Sequence, residues 1–568
     1  MKNLVLVALL LCASVSAMSG TVPLLALTEL SNGTQLGSAT ELRLDVSGGS
    51  ERVFLETAPL TKISTQVSMR FAQQIACHEF GIDCGDKDFF FAIKALPGPI
   101  VGGPSAGAAA AIAVAATLQN ASINPKIAIT GTINSGGLIG PVGGIEKKIG
   151  AAAGKGYTTV LIPAGTRYQK NPFVANSTDL VAVGARLNIT VVEVATIREA
   201  YGIFTGVQVM KNSNMLIIEP MYGETMKRIA NELCSRTAVL RSKINESNEL
   251  LLNFSVRAAE ALALNTSYSA ASFCFRANLL AKEIINSKNN SGNFSWELGV
   301  LDSRLEYLED KLEQEEITTL TDLQTYIVVK DRLKEAREGL LEAEVEKGAV
   351  QQRRLLSYSE ERLISAKAWS AFFNLSGNSL RLTPEALLKT CVSKVAEAEE
   401  RYNYVISVLP DSLKETRRAL DRAYLEYSNE SYISCIGSAS KAKAEADVVM
   451  GLLGVGDDRL NDILDIKLEI VKQQLLRAQE EGVFPIIGYS YYEYAQSLAP
   501  VDVSSALLFS EYALELSDLG VYFEKPQKQQ IVSLKIDLFS IGLGLLAGVF
   551  LTGVYYTVAF KFIARKKR

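Results

Sequence analysis

The sequence Gly102-Gly103-Pro104-Ser105-Ala106-Gly107 leads directly into Ala108-Ala109-Ala110-Ala111-Ile112-Ala113-Val114-Ala115-Ala116. Glycine and proline are typical of a turn, and the small side chains that follow predict a helix packed tightly inside a domain. Ser105 would then lie at the start of that helix, where free backbone N–H groups can stabilise a developing oxyanion. Taken alone the pattern is ambiguous, because a serine at this position can equally cap the helix.

Three further segments follow in the same part of the chain. They are Ile127-Ala128-Ile129-Thr130-Gly131-Thr132-Ile133, Gly140-Pro141-Val142-Gly143-Gly144-Ile145-Glu146-Lys147-Lys148-Ile149 and Val160-Leu161-Ile162-Pro163. With the turn at Ser105, they resemble in content and order four motifs of the proteolytic domain of the Lon protease family. These motifs read Gly-Pro-Ser-Ala-Gly, Thr-Gly-x-Ile, Pro-x-Gly-Gly-[Leu/Ile]-x-x-Lys and Val-Leu-Ile-Pro. The resemblance covers about residues 40 to 206, and nothing after them resembles Lon.

The resemblance implies a catalytic dyad of Ser105 and Lys148, because the interval between the two matches the family pattern and excludes Lys147 and Lys155. It also implies that Thr130 forms a hydrogen bond near the lysine. The residues expected to shape the turns beside the dyad are Gly103, Pro104, Gly143 and Gly144. The expected fold is an α+β domain of the Lon type, and no metal or cofactor is expected.

The chemistry of such a dyad sets a condition on the lysine. Lys148 can accept a proton from Ser105 only when it is neutral, so its pKa has to fall from about 10.4 to near 7 or 8. Burial among apolar groups has this effect. We expect the alanine-rich helix and the neighbourhood of Val142 and Ile145 to supply that environment.

The sequence departs from the Lon pattern in two respects. Bacterial Lon enzymes have an acidic residue three positions before the serine, where this chain has Gly102, so activation of the lysine would depend on burial and on hydroxyls such as Thr130. The chain also contains no Gly-x-x-x-x-Gly-Lys-[Ser/Thr] phosphate-binding loop. We therefore expect a peptidase that does not use ATP.

The two ends of the sequence predict where the chain resides. Residues 1–17 have the charged, apolar and small-residue order of a signal peptide, with an uncleaved anchor or a lipoprotein signal as alternatives. Residues 536–560 are predicted to form a transmembrane helix, because the run from Leu538 to Phe560 contains no charged residue and is long enough to cross a membrane. The basic tail 561–568 marks that end as cytoplasmic. We expect a single-pass protein of the cell membrane with its main domains outside the cytoplasm.

Glycosylation motifs and cysteines agree with that location. Eleven asparagines stand in Asn-x-Ser/Thr acceptor patterns: Asn32, Asn120, Asn176, Asn188, Asn245, Asn253, Asn265, Asn289, Asn293, Asn374 and Asn429. Six cysteines follow the signal region, and neighbours along the chain give the expected disulfides Cys77–Cys84, Cys234–Cys274 and Cys391–Cys435. Free buried thiols are the alternative.

Composition separates the chain into two regions and excludes some functions. Residues 18–210 mix glycine, proline and short β-branched runs, whereas residues 211–530 show apolar residues at helical spacing. We expect the second region to be mostly helical, as helix hairpins, a bundle or a coiled coil. The net charge of −4 gives no general attraction to nucleic acid. His78 is the only histidine, so a Ser-His-Asp triad is a poor expectation.

Three similar stretches in the helical region suggest degenerate repeats. They begin at Asn265, Asn429 and Asp502, and each follows an amphipathic helix. Each is predicted to be the corner of a helix pair with a Ser or Asn cap, and Cys274 and Cys435 would staple such pairs.

The expected function is that of a membrane-anchored serine endopeptidase acting on unfolded or extended polypeptides, and the resemblance implies assembly as a homo-oligomeric ring, as in Lon domains. Two alternatives remain open from the sequence. One is a surface scaffold whose Lon-like domain is inactive, which the missing acidic residue favours. The other is a processing peptidase for specific substrates, since Ser/Lys dyads also remove signal peptides.

Overall fold

The computed structural model of the chain describes residues 18–29, 35–58, 63–94, 103–170, 177–208, 212–288, 294–375, 382–453, 455–517, 519–523 and 552–553. The chain divides into two compact units, Met1–Glu524 and Lys525–Arg568. The expected signal peptide lies outside the described residues, as do the expected transmembrane helix and basic tail apart from residues 552–553. Among the described residues, no helix combines the length and the apolar character needed to cross a membrane.

The first region is built on a mixed seven-stranded sheet with the strand order β11-β8-β5-β1-β2-β4-β3. Its strands are β1 (Met18–Glu29), β2 (Gln35–Gly48), β3 (Val53–Ala58), β4 (Lys87–Lys94), β5 (Ile127–Ile129), β8 (Thr159–Pro163) and β11 (Thr190–Val194). Two small ribbons add β6 (Thr132–Ile133) with β7 (Ile139–Gly140), and β9 (Tyr168–Lys170) with β10 (Ser177–Asp179). Strands β5, β8 and β11 run parallel, while β1–β2 and β2–β4 are antiparallel.

Five helices cover the two faces of this sheet within the described residues. They are α1 (Ile63–Phe80), α2 (Gly107–Leu118), α3 (Ile145–Gly154), α4 (Leu180–Arg186) and α5 (Ile197–Thr205). Leu24 and Leu25 of β1 illustrate the two-sided burial: Leu24 packs with α1, α2 and α5, and Leu25 packs with α3 and α4. Successive strand residues point to opposite faces, so a strand buried on both faces has to be apolar throughout.

The sequence predicted four of the strands in this region, and the structure confirms them. The β-branched runs at 52–55, 126–130, 158–162 and 189–194 coincide with β3, β5, β8 and β11. The expected α+β class is therefore confirmed. Helix α2 is as closely packed as its small side chains predicted, since no residue from Ala108 to Ala116 is more than 1% exposed.

The second region is helical in every described element. Its helices are α6 (Pro220–Arg241), α7 (Glu249–Ala263), α8 (Ser267–Lys288), α9 (Phe294–Glu313), α10 (Leu320–Val345), α11 (Ala349–Trp369), α12 (Pro384–Val408), α13 (Lys414–Ser428), α14 (Tyr432–Gly451), α15 (Leu460–Glu480), α16 (Ile486–Leu498) and α17 (Val503–Ser517). Most of them share one large hydrophobic core.

The three similar stretches each lie at a helix corner, as predicted. They join α7 to α8, α13 to α14 and α16 to α17, and the two helices of each pair pack together. The predicted caps are only partly correct. Ser431 occupies the N-cap position of α14 without a side-chain capping bond, whereas the Asp502 carboxylate accepts a hydrogen bond from the Ser505 N–H at 3.0 Å.

The structure contains the three disulfides that the sequence predicts. Cys77–Cys84 closes the end of α1, Cys234–Cys274 joins α6 to α8, and Cys391–Cys435 joins α12 to α14. In both helical cases the bridge connects helices that pack against each other. Each bridge restricts the unfolded chain and thereby stabilises the folded one.

The glycosylation motifs that the structure describes are all on the surface. Seven acceptor asparagines are exposed: Asn120, Asn188, Asn245, Asn253, Asn265, Asn374 and Asn429. The other four, Asn32, Asn176, Asn289 and Asn293, lie outside the described residues.

Candidate active site

Ser105 lies in a one-turn 3-10 helix, Pro104–Ala106, that leads into α2. Gly103 precedes it with a φ of 132°, a conformation that residues with a side chain rarely adopt. Pro104 takes the first helical position, where its missing N–H has no intrahelical partner to lose. Neither this turn nor α2 has a side-chain capping bond, so Ser105 is not the helix cap that the sequence left possible. Ser105 is half-buried, so part of its side chain remains accessible.

The segment after β5 joins the serine turn to the lysine. The Gly131 N–H donates a hydrogen bond to the Ser105 carbonyl oxygen at 3.2 Å, and the Gly131 carbonyl accepts one from the Ala108 N–H at 3.1 Å. One residue earlier, the Thr130 hydroxyl oxygen accepts a hydrogen bond from Lys148 Nζ at 3.0 Å. Ser105 and Lys148 are therefore held by adjacent residues of one buried segment.

Lys148 has the environment that a general base requires. It lies on the buried side of α3 between Ile145 and Ile149, with 1% of its surface exposed, while Lys147 is exposed. Burial lowers the pKa of Lys148 to about 7. The expected choice of Lys148 over Lys147 and Lys155 agrees with this geometry, because both alternatives are exposed.

Two glycines allow backbone to approach the start of α3 closely. Gly144, the N-cap residue, has a φ of 65°, and a Cβ atom there would lie 2.5 Å from Leu27 Cδ1. Gly37 of β2, which the sequence did not single out, would place a Cβ atom 2.0 Å from the Lys147 carbonyl oxygen. A Cβ atom at Gly143 would not be crowded in this way. The role of this glycine therefore differs from the turn-shaping role that the sequence predicted.

Gly143 instead binds a residue of the helical region. Its N–H donates a hydrogen bond to the Tyr404 hydroxyl of α12 at 3.1 Å. Also from α12, the Arg401 guanidinium donates to the Ile133 carbonyl at 2.5 Å and to Asn134 Oδ1 at 2.9 Å. The helical region therefore contacts the segments that carry the lysine and the threonine. No pattern in the sequence indicated Tyr404 or Arg401 at this site.

This chain lacks the acidic residue that bacterial Lon enzymes have three positions before the serine. Gly102, which stands at that position, lies outside the described residues. For Lys148 the lowered pKa has burial as its cause, without a contribution from a neighbouring charge. This fits the expectation that burial and the Thr130 hydroxyl replace the acidic group.

Comparison with known proteins identifies the domain. Residues 64–185 match the family model of the Lon protease (S16) C-terminal proteolytic domain. The chain is 35% identical over 120 residues to the Lon protease of Paraburkholderia phytofirmans, which is 21% of this chain and 15% of that protein. It is 48% identical over 65 residues to the Lon protease of Methylocella silvestris, 11% of this chain and 8% of that protein.

A longer match, 28% identical over 139 residues, is to Lon protease 1 of Syntrophotalea carbinolica, and it covers 24% of this chain and 17% of that protein. The chain thus spans less than a fifth of the length of these relatives. The matched residues include Ser105, Thr130 and Lys148. The chain therefore carries a proteolytic domain of the Lon protease family, a family of serine peptidases.

Proposed function

We propose that this chain is an ATP-independent serine endopeptidase in which Ser105 is the nucleophile and Lys148 is the general base. The observation that carries the proposal is the burial of Lys148, whose pKa of about 7 leaves a large fraction of the amine neutral at neutral pH. Thr130 orients that amine, and the next residue, Gly131, binds the Ser105 turn.

The residues would act in two half-reactions. Neutral Lys148 accepts the Ser105 hydroxyl proton as Oγ attacks the scissile carbonyl, and the Ser105 N–H stabilises the oxyanion. The lysine then protonates the leaving amine, which leaves an acyl-enzyme ester. Water attacks the ester, with Lys148 again accepting a proton, and the ester C–O bond breaks as the departing Ser105 Oγ takes that proton from the lysine and becomes a hydroxyl.

Unfolded or extended polypeptides are the proposed substrates, with quality control of exported or membrane proteins as the biological role. The chain contains no phosphate-binding loop of the Walker type, which supports activity without ATP. Assembly into a homo-oligomeric ring is proposed from the family resemblance. Light scattering of the purified chain would test the ring, since a monomeric mass would contradict it.

We also propose that the chain is anchored in the cell membrane with both folded regions outside the cytoplasm. The order of residues 1–17 and the uncharged run from Leu538 to Phe560 support this topology. Three disulfides and seven exposed acceptor asparagines are compatible with an oxidising compartment and surface glycans. Membrane fractionation tests the membrane anchoring. A mass comparison before and after enzymatic removal of N-glycans tests the location of the folded regions outside the cytoplasm.

Activity is tested with the full chain and an unfolded protein such as casein, with and without ATP. The key comparison is Lys148→Met against Lys147→Met, because the two lysines are adjacent and only Lys148 is buried. We expect the parent and Lys147→Met to cleave casein equally with or without nucleotide, and Ser105→Ala and Lys148→Met to be inactive. A folded parent that cleaves nothing up to pH 9 would favour the scaffold or the narrowly specific processing peptidase.

A further inference from the structure

A cleft of about 760 Å³ opens beside the Ser105 turn, between the two regions of the chain. On the side of the proteolytic domain it is lined by Gly103, two residues before the serine, and by Val67 of α1. The opposite wall comes from α12 and α13 of the helical region. Binding sites are commonly found at such junctions between regions, where a concave surface is already formed.

The cleft also adjoins the lysine motif. Tyr404 of α12 lines it and accepts the hydrogen bond from the Gly143 N–H at 3.1 Å. Gly143 immediately precedes Gly144, the N-cap of the helix that carries Lys148. The cleft therefore lies between the serine turn and the start of the lysine helix. Gly103 is two residues from Ser105, so their Cα atoms are at most about 7–8 Å apart, a distance that a side chain next to a scissile bond at Ser105 can span.

The walls of the cleft are largely apolar. Val392 and Val395 of α12 and the rings of Tyr424 and Tyr427 of α13 line it from the helical region. Val392, Tyr424 and Tyr427 are 48%, 40% and 42% exposed, which is unusual for three large side chains grouped in one concave surface. A surface of this kind gains free energy when an apolar group covers it.

The two carboxylates in the cleft are already partnered. Glu399 accepts hydrogen bonds from Asn403 Nδ2 at 2.9 Å and from the Tyr424 hydroxyl at 3.0 Å, and it pairs with Arg417 at 3.5 Å. Glu400 pairs with Arg401 at 2.9 Å.

Because Glu399 and Glu400 already have these partners, they offer little negative charge to a cationic side chain of a substrate. The remaining oxygen of Glu400 is buried without a hydrogen-bond partner within the described residues, and burial raises the pKa of that carboxyl to about 7. At neutral pH the group is therefore about half protonated. Because both carboxylates are partnered and one is partly neutral, the cleft offers no strong attraction to a lysine or arginine side chain.

We propose that α12 and α13 form the specificity wall of the active site and bind a large apolar side chain of the polypeptide next to the scissile bond. The proposal rests on the proposed peptidase function and adds to it the class of side chain that is selected. It also assigns a role to the helical region, which lies outside the part of the chain that matches Lon. Val392, Tyr424 and Tyr427 are the residues that determine the preference.

The test uses the full chain and a set of fluorogenic peptides that differ only in the two residues flanking the cleavage site, Phe or Leu against Ala, Lys and Asp. Val392→Trp fills the cleft, and Val408→Trp is its matched control, because Val408 is a 53% exposed valine on the same helix outside the cleft. We expect the parent to prefer Phe and Leu. Val392→Trp should lower kcat/KM for these peptides roughly tenfold and change the Ala peptide less than about threefold.

A second variant enlarges the cleft instead of filling it. Tyr427→Ala removes an exposed ring and should lower kcat/KM for the Phe and Leu peptides several-fold, again with little effect on Ala. A parent that prefers Lys, or a Val392→Trp variant that affects all peptides equally or none, would overturn the proposal. Thermal unfolding of each variant identifies a loss of activity that is merely a loss of fold.

Binding separates this proposal from the proposed function. Fluorescence anisotropy with labelled peptides measures the affinity of the Ser105→Ala chain, which cannot cleave them. If the parent is inactive but Ser105→Ala binds Phe and Leu peptides more tightly than Ala peptides, and Val392→Trp abolishes that difference, the cleft assignment holds and the catalytic proposal fails. Equal affinity for all peptides would contradict the cleft assignment whether or not the parent is active.

Discussion

The Lys148 ammonium nitrogen and the Thr130 hydroxyl oxygen lie 3.0 Å apart in a buried part of the proteolytic domain. Thr130 is fully buried and Lys148 is 1% exposed, so this hydrogen bond is shielded from water. The hydroxyl can accept a hydrogen bond without carrying a charge, so it fixes the amine while contributing no opposite charge. Thr130 thereby orients the lysine and still permits the low pKa that burial produces.

Thr130→Val keeps the shape of the side chain and removes the hydroxyl. Loss of a hydrogen bond to a charged group costs about 1.5–3 kcal/mol, which corresponds to roughly a 10- to 100-fold lower kcat/KM if the bond persists in the transition state. The pH at which activity is half-maximal should also move down, because the hydroxyl stabilises the protonated amine. Thr130→Ser retains the oxygen and should stay close to the parent; an equal loss in both variants would contradict this role.

The activity of the parent should depend on pH through Lys148. The active form of the base is the neutral amine, and its pKa is lowered to about 7. We expect kcat/KM to rise about tenfold per pH unit below that value and to level off above it. Initial rates on a short peptide from pH 5.5 to 9, under conditions where the chain remains folded, measure this profile. A value of kcat/KM that still rises about tenfold per pH unit between pH 8 and 9 would mean that the base is an exposed lysine with an ordinary pKa.

Four strands of the proteolytic domain and its motifs could be predicted because their signals are local. Short β-branched runs and the glycine-rich turns each specify the conformation of a few adjacent residues. The nearest-neighbour cysteine pairs were also predicted correctly, because helices that are close in the chain pack together. These features need no knowledge of distant contacts.

The other half of the site could not be predicted, because it depends on contacts between distant residues. Tyr404 is 261 positions from Gly143, to which it is hydrogen-bonded, and no pattern in one sequence links the two. Gly37 lies in a strand, and the hydrophobic pattern of that strand does not predict that the Lys147 carbonyl packs beside it. The sequence around Arg401 is that of an amphipathic helix, on which a charged residue is expected to be exposed, yet Arg401 is only 2% exposed.

The entry into the lysine helix should tolerate no side chain at Gly144. Its φ of 65° costs about 1–2 kcal/mol for an L-residue, and the added Cβ would meet Leu27 Cδ1 at 2.5 Å. Gly144→Ala should therefore lower both the thermal stability and kcat/KM. Gly150→Ala is the matched control, because this glycine of α3 has no heavy atom within 4 Å of the added Cβ. The free energy of unfolding of Gly150→Ala should be about 0.5–1 kcal/mol higher than that of the parent, and its activity should be unchanged. A Gly150→Ala variant that is less stable and less active than Gly144→Ala would contradict this prediction.

Arg401 should couple the helical region to the proteolytic domain. Its guanidinium contacts the Ile133 carbonyl and Asn134, and it pairs with Glu400 and Asp447 in a buried position. Arg401→Met removes these bonds, leaves Glu400 without its partner and leaves Asp447 with Lys443 alone at 3.6 Å, so we expect a loss of about 3–5 kcal/mol in the free energy of unfolding.

The control for Arg401→Met is Arg418→Met, which breaks an ion pair with Glu415 in which both side chains are more than 70% exposed. Exposed pairs of this kind contribute about 0–1 kcal/mol, so that variant should unfold almost as the parent does. Denaturant unfolding of the full chain, monitored together with peptide cleavage, compares the two. If the helical region contributes a wall of the active site, Arg401→Met should lose activity at denaturant concentrations where Arg418→Met retains it. Coincident activity losses in the two variants would show that the buried arginine does not hold the regions together.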